Sequence, residues 1–267
     1  MEPCDGRSRQ PIYDPGVSLA PLPTSGRVVE RARRVRLGDV SPGGRLRLDA
    51  TARYLQDIAN DDARTGLPDE DVNAWVVRRT AIDVAQFPVY GEELELRTWC
   101  SGIGGRWAER RTRVTGDHGG HVDAASVWVH VDAVTGRPKV LSSGFHACYD
   151  EASGGRKISA RLEHRDPPPA IDAASSSWPV RFVDCDVLGH VNNAAYWNPV
   201  EEMLATRRDV RAPLRAELEH RVPVELGALG LGGAVELRWC ARPTGFEQWW
   251  CVGSVVHASA LVTAGVE

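Results

Sequence analysis

The sequence predicts an α+β chain made of two tandem copies of one unit, each a central helix wrapped by an antiparallel sheet. Three observations carry this expectation. Val35-Arg36-Leu37-Gly38-Asp39, followed by Gly44, lines up without a gap on Val180-Arg181-Phe182-Val183-Asp184, followed by Gly189. Later in each half a second pair of segments recurs in the same order. Phe87-Pro88-Val89-Tyr90-Gly91 and Glu95-Leu96-Arg97-Thr98-Trp99-Cys100 echo Val222-Pro223-Val224-Glu225-Leu226-Gly227 and Glu236-Leu237-Arg238-Trp239-Cys240. Between the two repeated segments lies one stretch of helical apolar spacing, and segments of alternating residues follow it.

The elements can be justified in chain order. Residues 1–26 carry Pro11, Pro15, Pro21 and Pro23 with little apolar periodicity, which predicts a mobile tail. From Asp49 to Arg64, Ala52, Leu55, Ile58, Ala59 and Ala63 fall near a helical period, with Asp49 as N-cap and Gly66 as the stop. Strand segments are expected at Trp75–Val77 running into Ala81–Val84, then Glu93–Trp99, Trp107–Val114 and Ser126–Val131. Residues 142–177, rich in Gly, Ser and Pro and including Pro167-Pro168-Pro169, read as the connector. In the second half Tyr196, Val200, Met203 and Leu204 mark the matching helix. Pro199 should kink that helix or restart it, with Asn198 as cap and Pro199 at its first position. Strands at Ala234–Cys240 and Trp249–Ala258 complete the half. The resulting boundaries are a tail at 1–26, an N-terminal unit at 27–141, a connector at 142–177 and a C-terminal unit at 178–267.

Chemistry concentrates in the turn before the second helix. Asp186 and His190 sit four residues apart across Gly189, so a tight turn can bring a carboxylate and an imidazole to one small volume. Asn192 and Asn193 are good helix N-caps, and the N–H groups near Asn193 and Ala194 lie where a helix dipole is positive. A carboxylate, a His and oriented N–H donors suit attack on a carbonyl, with the N–H groups receiving the developing oxyanion. At the gapless offset Ser41 takes the place of Asp186 and Arg45 that of His190, so the N-terminal half keeps no base. Its expected role is to shape the substrate pocket.

Composition excludes other classes. The 267 residues are 42% hydrophobic and 25% charged with a net charge of −4, which is ordinary globular material without the basic excess of a nucleic-acid binder. No apolar run is long enough to span a bilayer, and the first thirty residues hold no stretch resembling a secretory signal, so a cytoplasmic location is expected. Six scattered cysteines form neither a Cys-x-x-Cys pair nor a zinc-ligand spacing, so reduced thiols, no metal and no cofactor are expected. No Gly-x-Ser-x-Gly elbow is present, which argues against the α/β-hydrolase route to acyl transfer.

The turn Asp186-x-x-Gly189-His190-Val191-Asn192-Asn193-x-x-Tyr196 resembles the active-site turn of the hotdog-fold thioesterases. Leu55-Gln56-Asp57, Trp75-Val76-Val77-Arg78, Phe87 to Gly91, Arg97-Thr98-Trp99 and Ala125-Ser126-Val127-Trp128 resemble, in order, landmarks of the fatty acyl-[acyl carrier protein] thioesterases. The resemblance covers nearly all of Arg31 to Trp250. It implies a tandem double hotdog that hydrolyses fatty acyl thioesters, acyl-[acyl carrier protein] first, with the acyl chain in a tunnel between the halves and Leu188 and Tyr196 at the pocket.

The resemblance also implies roles. Asp186 would orient or deprotonate a water, or attack the thioester carbonyl itself, and His190 would hydrogen-bond the carbonyl or position that water. Plant members carry an Asn where this chain has Leu188, and a strand Glu at about the place of Pro223. The nearest carboxylate on the same strand face is Glu225, either the water-activating group or an exposed strand-end residue. Leu188 brings the turn closer to acyl-CoA thioesterases of the 4-hydroxybenzoyl type, so acyl-CoA hydrolysis and a catalytically silent acyl-binding module are the alternatives. Arg31, Arg33, Arg34 and Arg36, and then Arg207, Arg208, Arg211 and Arg215, could meet an acidic carrier protein or form a solvated surface. A homodimer is left open. The Asp-x-Asn-Pro-x-His turn of the hydratases and the His-Phe-Pro of the dehydratases are both absent.

Overall fold

The computed structural model describes residues 19–67, 75–132, 134–169, 173–229 and 233–265, so most of the expected N-terminal tail, at 1–18, lies outside the described residues. The chain divides into two compact units, with the boundary between Leu162 and Glu163.

In the N-terminal unit strands β1 (Val28–Arg34), β2 (Trp75–Gln86), β3 (Glu93–Ile103), β4 (Trp107–Gly116) and β5 (His121–His130) form an antiparallel sheet in the order β1-β3-β4-β5-β2. Helix α1 (Leu48–Gly66) buries Leu48, Ala52, Leu55 and Ile58, one stripe at helical spacing. The expected cap at Asp49 is corrected by two residues. Arg47 holds the cap position, and Asp49 lies inside the first turn, where Arg47 Nε and Arg53 Nη1 bind its carboxylate at 2.8 and 2.7 Å. Asp62 is the buried anchor of the same helix. It receives Arg27 at 2.6 Å, Arg110 at 2.6 Å and the Tyr149 hydroxyl at 2.8 Å, which ties α1 to the rest of the unit.

The stretch read as connector carries structure of its own. Helix α2 (Ser143–Ser153) starts where the Ser142 hydroxyl accepts the Phe145 N–H and stops at Gly154 in the left-handed region. Its Phe145 and Tyr149 pack with Cys100, Ile103 and Ala108. The helix is hard to foresee because its apolar stripe is short. Beyond it the chain is strapped by polar contacts: the Trp107 indole donates to the Ile158 carbonyl at 2.9 Å, and Arg156 bridges the Ser101 carbonyl and Glu109.

The C-terminal unit repeats the sheet order. Strands β6 (Ala174–Pro179), β7 (Leu214–His220), β8 (Ala234–Arg242), β9 (Gly245–Val252) and β10 (Val255–Ala264) pair as β7-β10-β9-β8-β6, matching β2-β5-β4-β3-β1. The segment expected as one strand at Trp249–Ala258 is instead a hairpin, because Gly253 turns the chain at φ +57°. Strands β1, β6 and β7 were not foreseen, since each is short, and β1 and β6 are largely exposed. A 3-10 turn, Ala195–Trp197, leads into α3 (Asn198–Thr206), so the helix restarts at Asn198 with Trp197 as cap and Pro199 in its first turn. A short helix, α4 (Leu226–Leu229), follows β7. Here too the incoming chain is strapped: Arg165 pairs with the buried Glu247, and the Trp249 indole donates to the Arg165 carbonyl.

Candidate active site

The turn before α3 is built from its first residues outward. Arg181 and Asp184 cap each other: the Asp184 carboxylate accepts the Arg181 N–H at 2.9 Å and its guanidinium at 2.7 and 3.0 Å. This fixes the 3-10 turn Phe182–Asp184 that delivers the chain to Asp186. The Arg-x-x-Asp spacing is the signal that sequence reading passed over. From there the backbone closes on itself, with the Asp186 N–H donating to the His190 carbonyl at 2.9 Å and the Gly189 N–H to the Asp186 carbonyl at 3.0 Å. Gly189 sits at φ +73°, a conformation that side-chain-bearing residues rarely adopt. Asp186 and His190 therefore stand at the two ends of one tight turn, as their spacing predicts. One Asp186 oxygen, Oδ1, accepts the Leu188 N–H at 2.9 Å, which fixes the carboxylate against its own turn.

Glu225 is brought to this turn from the following segment. It forms an isolated antiparallel bridge with His190, and its carboxylate lies 3.9 Å from His190 Nε2. The His190 side chain is 36% exposed and the Glu225 side chain 61%, so the pair is reached by water and screened by it. Of the pocket candidates, Leu188 is 73% exposed at the tip of the turn. Tyr196 is 2% exposed, its ring packed on His220 and Trp250 and its hydroxyl accepting the Val224 N–H at 3.1 Å. Burial pushes the Tyr196 phenol up to about 12, so the hydroxyl stays protonated at neutral pH.

The anticipated N–H donors separate into two kinds. The Ala194 N–H is already held by the Asn192 side chain at 3.0 Å, so Asn192 closes a local turn of its own rather than capping α3. Among the described residues nothing takes the Asn193 N–H or carboxamide. Cys185, next to Asp186, is a thiol whose titration is pushed up by burial and by the Asp184 and Asp186 carboxylates. That environment disfavours a thiolate nucleophile. Glu201, in the first turn of α3, is buried, and Glu202 beside it is exposed.

The N-terminal unit carries the same turn without the chemistry. The Ser41 N–H donates to the Arg45 carbonyl at 2.8 Å and Gly44 sits at φ +81°, yet the two side chains are Ser41 and Arg45. The bridge partner of Arg45 is Val89, as Glu225 is that of His190. The true register of the later repeat is therefore one residue off the expected match of Val89 with Val224.

The arginine clusters are mostly spoken for. Arg31, Arg33 and Arg34 pair with Asp61, Asp57 and Glu93. Arg207 is knotted to Asp209 and to the Gly245 and Arg242 carbonyls. Arg208 and Arg211 are exposed, Arg211 donating to the Arg208 carbonyl. Among the described residues no cluster of His, Cys, Asp and Glu is arranged to hold a metal ion, and no helix is long and apolar enough to cross a membrane.

Comparison with known proteins points one way. Residues 26–149 match the acyl-ACP thioesterase N-terminal domain and residues 170–229 the acyl-ACP thioesterase C-terminal domain. An uncharacterized protein of Mycobacterium tuberculosis is 30% identical over 93% of this chain and 97% of its own length. The chloroplastic palmitoyl-acyl carrier protein thioesterase of Gossypium hirsutum is 24% identical over 72% of this chain and 51% of its own length. Among solved structures, the 12:0-ACP thioesterase of Umbellularia californica superposes with a TM-score of 0.71, covering 88% of this chain and 96% of its own at 19% identity. An acyl-ACP thioesterase of Bacteroides thetaiotaomicron gives 0.67 over 88% and 97% at 20% identity. These likenesses identify a hotdog-like fold of antiparallel sheet and few helices. With both family domains matched in order over more than half of its residues, the chain belongs to the acyl-ACP thioesterase family, hydrolases of fatty acyl thioesters.

Proposed function

We propose that the chain is a tandem double hotdog whose C-terminal unit alone hydrolyses fatty acyl thioesters, acyl-[acyl carrier protein] in preference, with Asp186, His190 and Glu225 as its reacting groups. The observation that carries this reading is the pairing of His190 with Glu225 at the end of the turn that Asp186 begins, set against Ser41, Arg45 and Val89 at the same places in the other unit. In the reaction Asp186 or Glu225 accepts a proton from water as its oxygen adds to the thioester carbonyl, and His190 orients that water or the carbonyl. The Asn193 N–H and carboxamide are the donors free to meet the oxyanion, and Gly189 keeps the turn tight enough to present them. Collapse of the adduct breaks the C–S bond. A thiolate leaves readily, so no metal and no activated serine is required. The exposed Leu188, which stands where the resemblance implies an Asn, favours acyl-CoA as the second reading.

The proposed setting is cytoplasmic fatty acid synthesis, supported by five described cysteines that are all free. The carrier would dock on Arg208 and Arg211 rather than on Arg207, whose bonds are internal. Thiol release from matched acyl-carrier and acyl-CoA series, measured for the wild type and Asp186→Asn, tests the reading. Turnover on carrier substrates that disappears in the variant supports it. Ligand retention without turnover in the wild type would make the protein a binder. Charge reversal at Arg208 and Arg211 should lower carrier turnover and spare acyl-CoA turnover; equal loss on both removes the docking face.

A further inference from the structure

We infer that Tyr196 is a positioning residue that holds Glu225 against His190 through the backbone of Val224, an inference that rests on the proposed roles of those two side chains. Val224 is gripped on both sides. Its N–H donates to the Tyr196 hydroxyl at 3.1 Å, and its carbonyl accepts the Val191 N–H at 2.9 Å. Val191 adjoins His190 and Val224 adjoins Glu225, so the two bonds set the bridge between the reacting residues from one position away. Side chains alternate along extended backbone, and the Val224 side chain is 1% exposed while that of Glu225 points the other way into solvent. The Tyr196 ring is braced by His220 at 4.9 Å and Trp250 at 4.7 Å, so its hydroxyl presents a fixed acceptor.

The N-terminal unit carries the counter-example. There the Leu46 N–H donates to the Pro88 carbonyl at 2.7 Å, which puts Pro88 in the place of Val224. Proline has no N–H to give. At the same offset that matches the turns, Thr51 takes the place of Tyr196, and its hydroxyl donates to the Arg47 carbonyl of its own helix. Donor and acceptor are lost together in the copy that also lacks Asp186, His190 and Glu225. A bond needed only for folding would have been as useful in both copies.

The test is a cycle of Tyr196→Phe, Glu225→Gln and the double variant, read by kcat, KM and amide hydrogen exchange. Phenylalanine keeps the ring contacts and removes only the acceptor. In Tyr196→Phe the Val224 amide should exchange at least about tenfold faster and kcat should fall about tenfold, with KM within about twofold of wild type. In the double variant kcat should fall no further than in Glu225→Gln, within about twofold, because Tyr196 acts through Glu225. Losses that multiply, a KM increase at unchanged kcat, a Glu225→Gln variant with full kcat, or unchanged Val224 exchange would each overturn the inference. If the wild type turns over no thioester, the thioesterase reading fails; protected Val224 exchange that Tyr196→Phe abolishes would still establish the strut, and unprotected exchange would remove it.

Discussion

Gly189 is where one residue's backbone decides whether the turn carrying the candidate site can close. At φ +73° any side chain is strained even though open space surrounds the missing Cβ, so the cost of substitution lies in the backbone and not in crowding. Gly189→Ala should lower unfolding free energy by about 1–2 kcal/mol, measured by urea titration, and should reduce kcat by more than the stability loss accounts for, because relaxing the turn moves His190 away from Asp186. Unchanged kcat would mean that the turn tolerates the change without moving its side chains. The spacing Asp186-x-x-Gly189-His190 made this turn legible in advance, since a turn of five residues leaves little freedom in where its ends point. The Glu225 partnership was legible only as an ambiguous strand carboxylate. Sequence spacing says nothing about which residue of a segment 35 positions away will face a given side chain.

Elements are held by buried charge as much as by apolar stripes. Asp62 on α1 is the clearest case, since burial would raise its pKa and the Arg110 charge, the Tyr149 hydrogen bond and Arg27 together pull it below the usual carboxylate range. Asp62→Asn leaves the buried Arg110 guanidinium without its counter-charge, and breaking such a pair costs about 3–5 kcal/mol. Thermal unfolding and a double variant with Arg110→Met check this: the single change should be the worse, and equal stability would show the pair to be dispensable. The stripe of α1 was readable because 3.6-residue periodicity survives in any context. Helix α2 and strands β1, β6 and β7 were not, because short segments of mixed composition become helix or strand through the partners they meet. The hairpin between β9 and β10 depended on Gly253, set between Trp249–Val252 and Val255-Val256, two apolar stretches that read as one strand.

At the scale of the molecule, both units place carboxylates where cations outweigh the penalty of burial. Asp49 and Asp62 in one, and Glu217 and Glu247 in the other, all titrate below their ordinary values; His164 and Arg215 draw Glu217 down to about 2 despite its burial. A depressed folded-state pKa contributes stability that is full above the unfolded value, about pH 4, and is lost as pH falls through the folded value. The melting temperature should therefore hold from pH 7 to about pH 5 and fall steeply toward pH 2, with a shallower fall in Glu217→Gln; a flat profile to pH 2 would contradict the assignment. The sequence by itself determined the duplication, one helix in each half, the turn with Asp186 and His190, and the standing of Ser41 and Arg45 in their places in the first half, because repeats, periodicity and tight-turn spacing are local properties of the chain. Only the tertiary structure decided that Glu225 meets His190, that Tyr196 braces the segment carrying Glu225, that Arg207 is structural, and that the repeat slips by one residue at Val89. Each of those depends on which backbone groups pair across distant segments, a choice settled by burial and hydrogen-bond satisfaction over the whole unit and written in no short stretch of sequence.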